Sequence, residues 1–89
     1  MRNFTNGFKV YNQLQKAKET GDKKYLSKCA NAILSYREKD STTNPFNIGM
    51  FLKLQNSNDF NGAYNLCNNW LLENDENYNG ENWYGETYQ

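Results

Sequence analysis

Apolar residues recur along this chain at three- and four-residue steps, the period of an amphipathic helix. Phe4, Phe8, Tyr11, Leu14 and Ala17 form the first stripe, with Val10 on its flank, and predict a helix over residues 6–19. Gly21 then suits a left-handed stop, and Asp22 suits the N-cap of the next helix. A second stripe of Leu26, Cys29, Ala30, Ile33 and Arg37, with Tyr25, Ala32 and Tyr36 beside it, predicts a helix over residues 23–38. Residues 39–43 are polar and aperiodic. Asn44-Pro45 reads as an N-cap followed by proline at the first helical position, so the third helix is expected over residues 45–55. Its face carries Phe46, Met50, Phe51 and Leu54, with Ile48 and Leu52 nearby. Residues 56–58 break it, and Ser57 or Asn58 is expected to cap a fourth helix over residues 59–73. Phe60, Ala63, Tyr64, Cys67, Trp70 and Leu71 give that helix the cleanest stripe of the four.

Short connections between such helices imply antiparallel neighbours. The expected fold is therefore all-α: a small bundle of four short antiparallel helices, arranged as two helical hairpins, over residues 1–73. Its expected core is Phe8, Tyr11, Leu14, Leu26, Cys29, Ala30, Ile33, Phe46, Met50, Phe51, Leu54, Phe60, Tyr64, Cys67, Trp70 and Leu71. Leu14-Gln15 is echoed by Leu54-Gln55, and Cys29 by Cys67. That offset is similar to the period of helical-hairpin repeats such as tetratricopeptide units. The Trp-Leu-Gly-Tyr spacing of that family is absent, so the likeness is one of architecture.

Residues 74–89 have no helical period. They contain a tandem pattern, Glu76-Asn77-Tyr78-Asn79-Gly80 followed by Glu81-Asn82-Trp83-Tyr84-Gly85 and a partial Glu86-Thr87-Tyr88. Acidic aromatic tails of this kind are usually disordered alone and can dock on a partner, strap back over their own domain, or serve only as a solubilising end. Asn79-Gly80 also suits the tight turn of a small hairpin. Aromatic side chains dominate interface energetics. The partner-binding candidates are accordingly Tyr78, Trp83, Tyr84 and Tyr88, aided by Glu76, Glu81 and Glu86.

Composition changes this picture in three ways. The chain has 89 residues and a formal net charge of zero, but residues 1–40 hold nine cations against four anions and residues 41–89 hold one against six. Oppositely charged halves can pair within a molecule or between copies, so a homo-oligomer is one reading. Lys16, Lys18, Lys23, Lys24 and Lys28 concentrate in the basic half and form the candidate nucleic-acid patch of the alternative reading. Sixteen asparagines favour caps and turns over helix interiors. They also fit an A/T-rich coding bias, as in a phage or other mobile element.

The missing residues are as informative. There is no histidine, which removes the commonest general base and metal ligand. Two cysteines without histidine cannot complete a tetrahedral zinc site. Cys29 and Cys67 read as reduced, buried thiols, with a single disulfide as the alternative. No phosphate-binding glycine loop precedes a Lys-Ser or Lys-Thr pair, and no carboxylate pair falls on a core stripe. No catalytic residue, metal or cofactor is expected. No apolar run is long enough to span a bilayer, and residues 1–7 lack the apolar stretch of a secretory signal, which points to the cytoplasm. The leading expectation is a non-enzymatic module that binds another protein, as an adaptor or inhibitor. The alternatives are a small nucleic-acid-binding protein and a self-assembling structural protein.

Overall fold

The described residues form four helices in the order the periodicity predicts, with some ends shifted. The computed structural model describes residues 4–85. They are α1 (Phe4–Thr20), α2 (Lys23–Lys39), α3 (Ile48–Asn56) and α4 (Phe60–Asn74). The fold is all-α. Gly21 ends α1 in the left-handed region at φ 69°, donating its N–H to the Ala17 carbonyl at 2.8 Å. Only glycine takes that conformation without strain, and it turns the chain within two residues. Asp22 then caps α2 by accepting the Lys24 N–H at 3.0 Å. The first connection is thus as read from the sequence.

The third helix starts later than expected. Asn47, not Asn44, is its N-cap, accepting the Met50 N–H at 3.0 Å. The reason lies on α4. The Asn44 N–H donates to the Asn74 carboxamide at 2.8 Å, and the Asn44 carbonyl accepts the Trp70 indole N–H at 2.8 Å. Asn74 is itself held by a bond from its Nδ2 to the Trp70 carbonyl at 2.8 Å. Asn44 is sewn to α4 through both its backbone groups, and Phe46 inserts beside Phe51 with ring centroids 5.8 Å apart. A helix beginning at Pro45 would give up both.

The start of α4 also differs. Asp59 is the cap, accepting the Gly62 N–H at 2.9 Å. Asn58 instead takes the left-handed turn at φ 58°. The carboxylate at residue 59 sits against the positive end of the helix, which favours it over Ser57 or Asn58.

Helices α1, α2 and α4 contact one another pairwise and enclose the core, while α3 packs on α4 and α2. Among the described residues α3 does not touch α1. The buried centre holds Val10, Leu14, Leu26, Cys29, Ile33, Phe51, Cys67 and Leu71. Ala17, Ala30 and Ala63 are buried where helices approach closely, and Tyr36 meets the edge of Trp70 at 5.4 Å. Several core expectations need correction. Phe8 and Met50 are exposed, and Tyr11, Leu54, Phe60 and Tyr64 are half-buried. The inward face of α1 runs through Asn6, Val10, Leu14 and Ala17, one above the other at helical spacing. Phe8 and Tyr11 belong to a second apolar strip further round the same helix, against which Trp83 and Tyr78 of the C-terminal segment pack.

Candidate functional site

Residues 75–85 fold back on the bundle. The turn begins at Asp75, which caps α4 and is 2% exposed. Its carboxylate accepts the Asn77 N–H at 2.9 Å and the Trp83 indole N–H at 3.0 Å. Tyr78 and Trp83 face each other across an antiparallel bridge, and the Tyr84 N–H donates to the Asn77 carbonyl at 2.6 Å. The Asn79 side chain closes the turn by accepting the N–H groups of Glu81 and Asn82 at 2.8 and 2.7 Å. A hairpin forms, as Asn79-Gly80 suggests, but residues 79–82 all lie in its turn.

The tail aromatics meet the second strip of α1. Trp83 packs on Phe8 at 5.5 Å and Tyr78 meets the edge of Tyr11 at 5.8 Å. Tyr78 is 4% exposed, and its hydroxyl reaches the Asn68 carboxamide and the Gly80 carbonyl. Of the partner-binding candidates, therefore, Tyr78 lies inside the fold and Trp83 is half-buried. Tyr84 is 68% exposed, and Glu76 and Glu81 are exposed. Tyr88 and Glu86 lie outside the described residues.

Burial pushes the Tyr78 hydroxyl up to about 12, with the neighbouring Tyr64 and Tyr11 adding to the shift. A raised value means the folded state holds this proton more tightly than the unfolded chain does. The contribution is complete below the unfolded value of about 10 and is lost as pH rises from there towards 12. Burial also raises Tyr64, so it acts in the same direction. We therefore expect the urea midpoint to fall between about pH 9 and about pH 11, and to fall less in Tyr78→Phe. Equal slopes for the two proteins would mean that Tyr78 ionises freely.

The five lysines of the alternative patch are all exposed. Three have partners within the molecule. Lys23 donates to the Gln55 carbonyl at 3.1 Å and to Asn58 at 2.8 Å, clamping the end of α3. Lys24 pairs with Asp22 at 3.9 Å, and it flanks the Tyr25 ring together with Lys28. Lys18 stands elsewhere, at a cleft whose other walls are Phe60, Asn61, Tyr64, Asn65 and Gly80.

Cys29 and Cys67 are free thiols within the core. Cys29 lies 3.9 Å from the Val10 carbonyl. Its hydrogen bond with Cys67, and then burial, push its thiol well above the ordinary range. Such a thiol is a poor nucleophile, because only the thiolate attacks. Among the described residues, no three His, Cys, Asp or Glu side chains gather closely enough to hold a metal ion. No described helix is long and apolar enough to cross a membrane.

Sequence reasoning placed Ile48, Met50 and Leu52 on or near the core face of the third helix. In the structure they are exposed by 38%, 44% and 52%. The helix is short and, among the described helices, is contacted by α4 and α2 alone, so its apolar arc is wider than that contact. The signal was present in the sequence as six large apolar residues within nine positions beginning at Phe46. No family model, no curated protein and no solved structure matches this chain.

Proposed function

We propose that this chain is a non-enzymatic protein-binding module of the cytoplasm, acting as an adaptor or inhibitor of a larger protein. A phage or mobile-element origin, and with it the host cytoplasm, fits its asparagine-rich composition. The observation that carries the reading is the outer surface of α3. In a chain of mean hydropathy −1.05, three large aliphatic side chains project from one nine-residue helix. Ile48 and Leu52 are one turn apart and stand side by side, and Lys53 and Gly49 separate them from Met50. A short helix of this kind fits an apolar groove on a partner, with a carboxylate at the rim facing Lys53.

This reading moves the contact from the tail to α3. Tyr78 is buried against Tyr11 of α1, and Trp83 is half-buried against Phe8. A truncation after residue 74 would also remove the buried Asp75 and Tyr78, so it would not leave the fold intact. The cleaner test uses the full chain with Ile48→Ser and Leu52→Ser, singly and together, beside Tyr84→Ser. The expected result is a stoichiometric protein partner that survives nuclease. Its affinity should drop by about tenfold or more for each α3 change, with helicity unchanged. Undiminished capture by the double variant, or capture abolished by nuclease, would overturn the assignment. Self-association lost with the same variants would make the partner a second copy and replace the adaptor reading.

A further inference from the structure

The cleft beside Lys18 has a composition that the protein-binding reading leaves unused. It is an open depression of about 440 Å³ between the end of α1, the first two turns of α4 and the tail hairpin. That lies within the usual range of small-ligand sites. Phe60 and Tyr64, one turn apart on α4, lie with ring centroids 6.3 Å apart and planes only 22° from parallel. The two rings are stacked on each other, both half-buried, and both line the cleft. Asn61 and Asn65 repeat the same four-residue step on the neighbouring ridge and line the cleft with two carboxamides. Lys18 reaches it from α1, and Gly80 closes it from the tail. Among the described residues the lining holds one cation and no carboxylate.

Each part selects a chemical feature. A stacked aromatic pair takes a further planar ring on an outer face. A carboxamide offers a donor and an acceptor side by side, which matches the edge of a nucleobase. An exposed lysine at the rim takes an anionic group. We propose that this cleft binds a nucleotide unit, its base stacked on Phe60 and Tyr64, its edge bonded to Asn61 or Asn65, and its phosphate on Lys18. Stacking plus one backbone cation is the recurring unit of single-strand recognition. A free mononucleotide presents the same chemistry. The site uses only Lys18 of the basic cluster, so it differs from a duplex-binding lysine patch.

The test is a titration of the full chain followed by backbone and side-chain amide resonances. Adenosine monophosphate, inorganic phosphate and a single-stranded deoxyadenylate octamer are the probes. The expected result is saturable binding that shifts the carboxamide signals of Asn61 and Asn65 along with the amides of Lys18 and Tyr64. Tyr64→Leu keeps the apolar bulk but loses the π face, and should weaken binding about fivefold to a hundredfold. Lys18→Gln should weaken the phosphate-bearing probes while the spectrum stays that of the folded protein. Tighter binding of the octamer identifies a strand as the source, and equal binding identifies the free nucleotide. Absence of saturation, equal shifts with phosphate alone, or unchanged affinity in Tyr64→Leu would each overturn the proposal.

Discussion

Trp70→Ala is expected to cost about 3–5 kcal/mol, the ordinary cost of truncating a large buried aromatic. Trp70 is buried where α4 meets α2 and the segment before α3. Its ring packs against Tyr36, and its indole N–H holds the Asn44 carbonyl at 2.8 Å. Truncation therefore opens a cavity and releases the segment that delivers Phe46 to the core. A small domain has only about 5–15 kcal/mol in all. The variant should consequently be partly unfolded at physiological temperature. Trp70→Phe separates the two contributions. It retains much of the ring and removes the bond to Asn44, and it should cost less than the alanine change. Urea denaturation of the three proteins measures both steps. A loss below about 1 kcal/mol for Trp70→Ala would mean that this corner of the core collapses to fill the space.

The difference between Asn44 and Asn47 shows what local pattern can and cannot reveal. Asn-Pro is a favoured helix start, and nothing within residues 39–47 argues against it. The competing interaction comes from Trp70 and Asn74, far along the chain, and a local rule does not see it. The same holds for α1. Its sequence shows one broad set of apolar positions, which the structure divides between two neighbours. Val10, Leu14 and Ala17 serve the bundle, whereas Phe8 and Tyr11 serve the tail. Periodicity reports how many apolar residues lie on a helix, but not which partner takes each strip.

The candidate sites divide along the same line. The tail aromatics stood out in the sequence because they repeat, yet repetition does not distinguish an outward contact from an inward strap. In the isolated chain the tail folds inward through the pairing of Trp83 with the Asp75 carboxylate, which is invisible without the turn. The Phe60–Tyr64 pair is legible as part of a helical stripe, which predicts core. In the structure both rings pack against the core while remaining half-buried at the edge of a cleft.

Gly7→Ala should be destabilising even though it lies within a helix, where the same change ordinarily stabilises by about 1 kcal/mol. A Cβ at residue 7 would stand 1.7 Å from an Asp75 carboxylate oxygen and 2.9 Å from the Trp83 indole nitrogen. Asp75 is a short side chain with little room to turn away. Rotating it gives up the bonds from Asn77 and Trp83 together and leaves two part-buried donors without partners. Overpacking of this kind typically costs about 1–3 kcal/mol, enough to outweigh the gain in helix propensity. The loss should fall on the hairpin. Helicity should remain, while Trp83 emission shifts to the red and the Tyr84 amide exchanges faster. Asp75→Ala removes the oxygen in the way, so adding Gly7→Ala to it should cost much less than adding it to the native chain. Additive costs would place the effect of the methyl group elsewhere. The variant also separates the two roles of the tail. If Trp83 and Tyr78 were partner contacts, releasing them from α1 would tighten partner binding, because the competent state would be more populated. If α3 is the contact, partner affinity should stay as it was while the hairpin comes loose.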